Sequence, residues 1–409
     1  MLLLLRLALR NLLRHRLRTG ITTFAIVAGL GLMIVSLNLN DGVYSSMTRT
    51  GISEMAGHVV VQGEGYLAHP DVKIVVPDAA AVEAKLAQAL PEAVIVSRVQ
   101  MEGLITSPQS SSGAALNGID PAREVLVSDW QGKVVEGGFI EGDRDILLGR
   151  ALAENLDVKL GDKVVVMAQG EGEVISRLFR VKGLLSVGTD DIDAFLAIIH
   201  IQAAQELMAQ PGAVTRVTAH LPSPETTEDA TARARAALSE PGLEVLSWKQ
   251  ALPEVYELIQ LDANTNHVFL SIIGFIVALG VLNTVLMSVM ERVREFGVMM
   301  ALGLTPGQIA RLILLEGLVL GVVATTLGVL LGLALTYPLA THGLDYAMFT
   351  GESGMEVSGL SINSVIHANF AWHKTGAYGL GSLVMTVLAS IYPAVRASKL
   401  RPVEAMRHV

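Results

Sequence analysis

Four long stretches without Asp, Glu, Lys or Arg constrain the fold of this chain more than any other feature. They hold 22, 28, 28 and 21 residues, at 19–40, 263–290, 317–344 and 375–395. A helix rises about 1.5 Å per residue, so about 20 residues cross a hydrocarbon core about 30 Å thick. Buried core helices of a soluble protein are the alternative, but such helices rarely stay uncharged all round through five turns. The sequence therefore predicts an integral membrane protein with four transmembrane helices.

The order of these stretches predicts the domain organisation. One span lies near the N-terminus, three lie in the C-terminal third, and a long polar sequence between spans 1 and 2 indicates a large extracytoplasmic domain. The predicted segments are a cytoplasmic amphipathic helix at 1–18, transmembrane helix 1 at 19–40, the external domain at 41–265, transmembrane helix 2 at 266–290, a cytoplasmic coupling segment at 291–309, transmembrane helix 3 at 310–338, an external loop at 339–373, transmembrane helix 4 at 374–395 and a cytoplasmic tail at 396–409.

The distribution of Lys and Arg predicts the orientation. With the N-terminus inside, the inner segments carry 12 basic and 4 acidic residues, whereas the outer segments carry 18 basic and 35 acidic residues. Cytoplasmic loops carry the excess of Lys and Arg, so both termini are predicted to be cytoplasmic. The net charge of −9 therefore belongs to the solvated surface of the external domain and gives no indication of nucleic-acid binding.

The N-terminal segment has its own pattern. Arg6, Arg10, Arg14 and Arg18 recur every four residues and leucines fill the other side, which predicts an amphipathic helix on the inner leaflet. A plain topology signal without a separate helix is the alternative. The following apolar run is too long for a signal peptide and lacks a small-x-small cleavage site, which indicates a retained anchor.

The external segment has the pattern of a mixed α/β domain in which two β-α-β units bracket a run of short strands. The strand, helix and strand lie at 58–62, 78–90 and 93–107 in the first unit and at 214–221, 223–238 and 243–248 in the second. Asp78 is a candidate N-cap for the first helix. Between the units, Gly and Asp turn signals separate short apolar runs. The prediction is a β-α-β core at about 55–111 and 211–250 with an inserted β subdomain at about 112–210.

The sequence offers no catalytic motif. It has no phosphate-binding loop, no H-E-x-x-H and no G-x-S-x-G, and it has no cysteine for disulfides or thiol chemistry. Asp190, Asp191 and Asp193 could bind a hard cation, but a turn before the following strand is the simpler interpretation. We therefore expect no catalytic residue and no metal site in this chain.

The loop between spans 2 and 3 carries the clearest functional signal. Residues 290–317 leave span 2 with alternating charges, become apolar, turn at "GLTPG" and re-enter with Arg311 and Glu316. A short amphipathic helix between two spans suits docking to a cytoplasmic partner. A connector lying on the bilayer is the alternative.

The segments "ERVREFGVMMALGLTPGQI", "EGLVLGVVATTLGVLLG" and "IYPAVRASKLRPVEAMRH" resemble the macrolide-exporter and cell-division (FtsX-like) superfamily of ABC permeases. Within that superfamily, the chain length, the lack of a fused ATPase and the stretch "GIDPAREVLVSDWQGKVVEGGFIEGDRDILLGRALAENLDVKLGDKVVVMA" resemble the lipoprotein-releasing permeases. The implied fold is a four-helix membrane protein of the bacterial inner membrane. Its periplasmic α/β domain would have a porter-like core and the inserted β subdomain.

The resemblance implies mechanotransmission. A cytoplasmic ABC ATPase dimer, which would bind ATP and Mg, is expected beneath two permease chains, whether two copies or this chain with a sister chain. No cofactor and no enzymatic activity are expected in this chain. The residues implied to couple it to the ATPase are Glu291, Arg294, Glu295, Val298, Met299, Leu302 and Gly303.

In the lipoprotein-releasing branch, acyl chains enter a cavity formed by the first and second spans near the outer surface. The residues that the resemblance implies for this lining are Val35, Leu39, Val43, Met47, Phe269, Ile272 and Ile276. In span 3, four glycines fall on one helix face in two G-x-x-x-G pairs, which predicts close helix packing rather than substrate contact. These glycines are Gly317, Gly321, Gly328 and Gly332.

Three functions follow from the resemblance. The first is extraction of lipoproteins or another amphiphile from the outer leaflet of the inner membrane. The second is efflux or antimicrobial-peptide resistance, and the third is a non-transporting relay that activates a cell-wall hydrolase. One lipoprotein-releasing subunit receives a periplasmic chaperone on a protruding hook, but here only "QGEGEVIS" at 169–176 occupies that place. The resemblance implies a lipoprotein substrate and a periplasmic acceptor, but it does not extend to direct capture of such a chaperone by this chain.

Overall fold

A computed structural model describes most of the chain. The described residues are 6–8, 10, 11, 14, 16–170, 172–345, 348, 354–357, 360–363 and 365–399. The predictions for the remaining residues of the amphipathic helix at 1–18 and for the tail beyond 399 lie outside this part of the chain. The structure divides into a membrane unit of 1–44, 260–344 and 366–409 and an external unit of 45–259 and 345–365.

The membrane unit is built from long helices, with residues 6–8, 10, 11 and 14 also helical. We call these described residues the N-terminal segment. Within the described residues, four helices are long and apolar enough to cross a membrane, by length and composition. They are α1 at Arg16–Thr50, which a π-helical turn at Gly51–Ala56 prolongs, α9 at Pro253–Glu291, α11 at Pro306–Thr341 and α12 at Trp372–Ser398.

Helices α1 and α9 run further than the predicted spans. The charge-free stretch ends before Asp41, but α1 continues to Thr50, and α9 begins at Pro253, before the predicted start of span 2. Charge marks where apolar sequence stops, whereas a helix continues as long as its backbone hydrogen bonds and packing hold. Both helices therefore reach into the external unit.

In the part of the chain that the structure describes, the external unit is an α/β domain built on one ten-stranded sheet. Its strands are β1 at Val59–Gly63, β2 at Val94–Thr106, β3 at Ser111–Ile119, β4 at Val134–Gly137, β5 at Asp145–Gly149, β6 at Lys163–Gln169, β7 at Val174–Leu185, β8 at Leu196–His200, β9 at Arg216–His220 and β10 at Leu243–Ser247. Its helices are α2 at Ala79–Ala89, α3 at Pro121–Glu124, α4 at Arg150–Leu156, α5 at Asp190–Asp193, α6 at Ile201–Met208, α7 at Thr227–Ala237 and α8 at Trp248–Ala251.

The two predicted β-α-β units are present as β1-α2-β2 and β9-α7-β10. Their strands are neighbours in the order β10-β1-β9-β2, with every pair antiparallel. The predicted N-cap is confirmed, because the Asp78 side chain accepts a hydrogen bond from the Ala81 backbone N–H at 3.0 Å. The inserted strands do not form a separate sheet. They extend the same sheet through β3, which pairs with β2, and through β6, which also pairs with β2.

Three further features complete the fold. The predicted loop at 339–373 contains strands, β11 at Leu344–Asp345 paired with β14 at Val365–Ile366, and a hairpin of β12 at Gly354–Val357 and β13 at Leu360–Asn363. The acidic cluster forms a turn through α5, where buried Asp193 accepts from the Val187 backbone N–H at 2.9 Å. The coupling segment contains helix α10 at Val293–Ala301.

Candidate coupling surface and membrane cavity

The sequence at both ends of α10 explains why it forms a separate short helix between α9 and α11. The chain turns at Gly303, whose φ of 103° lies in the left-handed region that favours glycine. Helix α11 then begins with a capping box, in which the Thr305 backbone N–H donates to the Gln308 side chain at 2.8 Å. Pro306 occupies the first turn, where its missing N–H costs nothing. The "GLTPG" motif thus fixes the exit of α10 and the start of α11.

The inner face of α10 is packed into the membrane unit. Phe296 is fully buried in a cluster that gathers the inner ends of α9, α11 and α12. The other buried members of that cluster are Val289, Ile309, Ile313, Ala394 and Ala397. Since three spanning helices contribute to this cluster, a displacement of α10 acts on all of them.

The outer face of α10 is exposed and partly apolar. Val298 is 45% exposed and Leu302 is 80% exposed, and they lie one helical turn apart. Arg294, one turn before Val298, is also exposed. We call Arg294, Val298 and Leu302 the docking face. Helix α10 therefore presents exposed apolar side chains and a charge on the side opposite its packed face.

The seven predicted coupling residues differ in how far they are buried. Two of them, Glu295 and Met299, are half-buried, and the other five are exposed. Those five are Glu291, Arg294, Val298, Leu302 and Gly303. Sequence analysis missed Phe296, although Val289, Val293 and Phe296 repeat at helical spacing and continue one buried stripe from α9 into α10.

The glycine face of α11 contacts two different helices. At its inner half, a Cβ on Gly317 would lie 2.7 Å from Ser390 Cβ, and one on Gly321 would lie 3.0 Å from Leu383 Cδ1, both on α12. At its outer half the same face meets α1. A Cβ on Gly332 would lie 2.7 Å from Ile34 Cβ there.

The fourth glycine, Gly328, contacts α1 in the same way, because its Cβ would lie 3.1 Å from Leu30 Cβ. All four glycines are buried. The first G-x-x-x-G pair therefore brings α12 close, and the second brings α1 close. Their backbones can approach because no side chain stands between them.

A cavity of about 450 Å³ lies between α1, α9 and α12. That volume falls within the range of small-molecule binding pockets, about 300–1,000 Å³. Its lining is mostly apolar and comes from all three helices. The lining residues are Ile26, Leu30, Met33, Leu270, Ser271, Gly274, Val277, Ala278, Val281, Ala377, Tyr378, Gly381, Ser382, Met385 and Thr386. The Tyr378 hydroxyl is 2.7 Å from His267 Nδ1, and their two rings are stacked.

The predicted acyl-binding residues do not line this cavity. Phe269, Ile272 and Ile276 are 61%, 53% and 61% exposed and lie on another face of α9 from the lining residues. Met47 is buried in the external unit. The three α1 residues are half-buried. They are Val35, Leu39 and Val43.

The seven residues therefore do not line the cavity of the single chain, and their contact with an acyl chain stays a prediction. The physical reason is that span 2 is apolar all round, so hydropathy identifies the helix but not the face that turns inward. Gly274 lies on the cavity side of α9. A small residue in an otherwise bulky apolar helix is a sequence signal that could have indicated this face.

Comparison with known proteins identifies the family. A family model described as "FtsX-like permease C-terminal" matches residues 267–402. A second, "MacB-like periplasmic core domain", matches residues 19–237, which is more than half of the chain. The chain belongs to this family of ABC transporter permeases. The resemblance and the fold class drawn from the sequence are thereby confirmed.

Three similar proteins are named as parts of the lipoprotein-releasing system. LolC of Xylella fastidiosa is 26% identical over 416 residues, covering 97% of each chain. LolC of Neisseria meningitidis is 28% identical, covering 76% of this chain and 77% of that protein. LolE of Haemophilus influenzae is 22% identical, with 75% and 76% covered.

Two solved structures are also similar. The extracellular domain of the transporter YknZ from Gram-positive bacteria aligns with a TM-score of 0.33 and 14% identity, covering 46% of this chain and 99% of that one. The periplasmic region of MacB from Actinobacillus actinomycetemcomitans aligns with a TM-score of 0.34 and 13% identity, covering 49% and 91%.

The outer ends of three spans of the permease meet at one buried amide, which sequence analysis missed. Asn38 of α1 is fully buried, and its Nδ2 donates to Thr336 Oγ1 of α11 at 3.2 Å. Its Oδ1 accepts from the Ala371 backbone N–H at 3.1 Å, and its carbonyl oxygen accepts from the Asn369 backbone N–H at 2.9 Å. The side chain and the backbone carbonyl of Asn38 thus tie α1 and α11 to the start of α12.

The region of the permease where a hook would protrude is a short turn. Strands β6 and β7 pair to their ends, with Gln169 opposite Val174. The Gly170 backbone N–H donates to the Glu173 carbonyl oxygen at 2.8 Å and closes the turn, in which residue 171 lies outside the described part. The described backbone here forms a tight hairpin connection.

Proposed function

We propose that this permease is the membrane subunit of an ATP-driven transporter that extracts acylated amphiphiles, with lipoproteins as the first candidate, from the outer leaflet of the bacterial inner membrane. Both termini would be cytoplasmic, and a separate ABC ATPase dimer, binding ATP and Mg, would work beneath this chain and a second permease chain. The observation that carries the proposal is α10, because its exposed docking face lies opposite a face packed into three spanning helices.

The coupling follows from that packing. An ATPase that moves the docking face moves Phe296, and Phe296 cannot move without the helix ends around it, because close-packed interiors transmit displacement. Extraction needs this coupling, since each acyl CH₂ buried in the bilayer contributes about 0.8 kcal/mol to membrane affinity.

The substrate class is supported by the cavity and by the relatives. An apolar space of about 450 Å³ between α1, α9 and α12 suits a hydrocarbon chain better than a charged solute. The LolC and LolE relatives carry names from a lipoprotein-releasing system. The tight β6–β7 turn supports release of the substrate to a partner other than a chaperone that is held on a hook. Amphiphile efflux therefore stays the alternative function.

Recruitment of the ATPase is tested by Leu302→Asp in the tagged full chain, purified in mild detergent with the ATPase of its own cell. Leu126→Asp is the matched control, because Leu126 is another exposed leucine and lies in the external unit. We expect Leu302→Asp to lower the amount of co-purified ATPase at least tenfold and the control to leave it unchanged. Equal recovery of the ATPase in both variants would contradict the docking face.

The substrate class is tested by filling the cavity. Gly274 lines the cavity, and a Cβ there lies 3.9 Å from Met33 Cε, so Gly274→Phe adds a ring on the cavity side. Gly280→Phe on the same helix is the control, because Gly280 does not line the cavity and a Cβ there meets nothing within 4 Å. We expect an acylated protein to co-purify with the wild-type complex in nanodiscs, by mass spectrometry, and to be lost only in Gly274→Phe. Absence of acylated protein, with hydrolysis stimulated by a soluble drug or peptide instead, would favour efflux.

A further inference from the structure

The side chain of Arg292, between α9 and α10, is 6% exposed and lies between two carboxylates. Its Nη1 donates to both oxygens of Glu316 on α11, at 3.1 and 3.0 Å. Its Nε donates to Glu295 of α10 at 3.2 Å, and its guanidinium lies 5.1 Å from the centre of the Phe296 ring. Arg292 thus joins the coupling helix to the inner end of span 3.

The same two carboxylates extend the network to the N-terminal segment. The second oxygen of Glu295 accepts from Arg14 Nη1 at 3.2 Å. Glu316 Oε1 accepts from Asn11 Nδ2 at 2.7 Å. Five side chains therefore form one continuous polar network across three elements, the N-terminal segment, α10 and α11, with Arg292 at its centre. We call these five side chains the inner network.

The inner network is not arranged for maximal stability. Arg292 Nη2 is buried and, among the described residues, finds no hydrogen-bond acceptor. An unsatisfied buried donor carries a desolvation penalty, and a buried ion pair is often no more stabilising than apolar residues of the same volume. What the guanidinium provides is direction, because its planar fork holds several acceptors in fixed geometry at once, which a lysine ammonium cannot do.

We propose that Arg292 is a positioning residue of the transport cycle, which makes α10, the inner end of span 3 and the N-terminal segment move as one body. Breaking its contacts would leave Glu316 as a half-buried carboxylate without its cation, so the three elements stay together while α10 moves. This inference rests on the proposed docking of an ATPase on α10. It adds that the stroke reaches span 3 and the N-terminal segment through charge-assisted hydrogen bonds as well as through the Phe296 cluster.

The first test measures coupling in the full complex with its co-purified ATPase. Arg292→Met removes the fork at similar length, Arg292→Lys keeps the charge, and Arg311→Met is the matched control, since Arg311 is an exposed arginine on α11. We expect Arg292→Met to keep the amount of bound ATPase within twofold while lowering permease-stimulated ATP hydrolysis at least tenfold. Arg292→Lys should restore part of the stimulation, and Arg311→Met should behave as the wild type.

The second test needs no ATPase and uses the absence of native cysteine. Spin labels on cysteines introduced at the exposed positions Arg10 and Ala301 report the distance between the N-terminal segment and α10 in the purified chain. We expect one narrow distance distribution in the wild-type background and at least a doubling of its width in Arg292→Met.

The outcomes separate this inference from the proposed function. Unchanged hydrolysis and an unchanged distance distribution in Arg292→Met would overturn the positioning role while leaving the docking face intact. Loss of the bound ATPase in Arg292→Met would overturn it too, because Arg292 would then only shape the docking face. If the wild-type chain retains no ATPase, the proposed function fails, and the distance measurement still decides whether Arg292 holds the two elements together.

Discussion

The external unit and the membrane unit differ in the residues that bring their elements close together. The external core is filled by large apolar side chains that are almost completely buried, among them Phe179, Ile146 and Leu148. In the membrane unit several helices also approach closely at glycines, where a neighbouring side chain lies directly against the backbone. Gly332 meets Ile34, and Gly317 meets Ser390.

The solvent explains this difference. In water, burying apolar surface is favourable, so large aliphatic side chains collect in the core. Lipid tails are as apolar as leucine, so a helix gains nothing by hiding its leucines and instead gains from close backbone approach. Span 2 illustrates the second case. In its most apolar window 11% of the residues are buried, against 28% in span 3, although the mean hydropathy of the two windows is nearly the same, 2.4 and 2.5.

The largest expected effect is a truncation in the external core. Leu148 of β5 is fully buried, so Leu148→Ala should destabilise the external unit by about 2–5 kcal/mol, through lost transfer energy and the cavity left behind. Hydrogen exchange of the β5 and β8 amides in the full chain measures this loss. Leu126→Ala, at a 67% exposed position, is the control and should change the stability by less than about 0.5 kcal/mol.

In the membrane unit the damaging change should be the addition of a single methyl group. Gly332→Ala places a Cβ 2.7 Å from Ile34 Cβ and should cost about 1–3 kcal/mol by forcing α1 and α11 apart. Gly280→Ala on α9 meets nothing within 4 Å and should be neutral or slightly stabilising. Thermal unfolding of the full chain in detergent compares the two. Equal behaviour would contradict the view that glycines set the helix contacts.

This contrast also explains which features could be predicted from the sequence. The four spans follow from the absence of charge, and the glycine face of span 3 follows from helical spacing, because both signals are local in the chain. The inward face of span 2 could not be predicted, because Phe269 and Leu270 are equally apolar neighbours and only the partner helices distinguish them.

Polar partners were the second kind of feature that the sequence could not supply. Asn38 and Thr336 are 298 residues apart, and Arg292 and Glu316 are 24 residues apart. No local pattern indicates such pairs. The inserted strands likewise read as a separate β subdomain, because a sequence does not state that β3 and β6 both pair with β2.

The external unit also buries two histidines, His58 and His220, and their burial should make its stability depend on pH. Burial, with Arg98 and His58 nearby, lowers the pKa of His220 to about 3, and burial lowers the pKa of His58. His58 Nδ1 accepts a hydrogen bond from the Leu221 backbone N–H at 3.0 Å. Protonation of Nδ1 would turn this acceptor into a second donor that faces the Leu221 N–H. Below pH 6.5, the ordinary pKa of histidine, the unfolded chain therefore binds protons on these side chains that the folded state does not bind.

Stability should accordingly be fully present above pH 6.5 and fall as the pH drops from 6.5 towards 3. His220 contributes about 1.4 kcal/mol per pH unit in that window. His220→Gln should reduce the loss between pH 7.5 and 5.5 by about that amount, measured as the shift of the denaturation midpoint of the external unit in the full chain. His69→Gln, at an exposed position, is the control for the substitution itself.

The smallest effect is expected on the exposed face of span 2, and it refines the comparison most. Leu279 is 47% exposed and belongs to an apolar stripe with Phe275 and Ile272. If detergent or lipid covers this stripe, Leu279→Ala exchanges one apolar contact for another and should change the unfolding temperature by an amount worth less than about 0.5 kcal/mol. A loss above about 1 kcal/mol would mean that the stripe is packed against a second permease chain in the purified protein. The rule of small residues inside would then hold only within one chain, and large side chains would carry the contact between two.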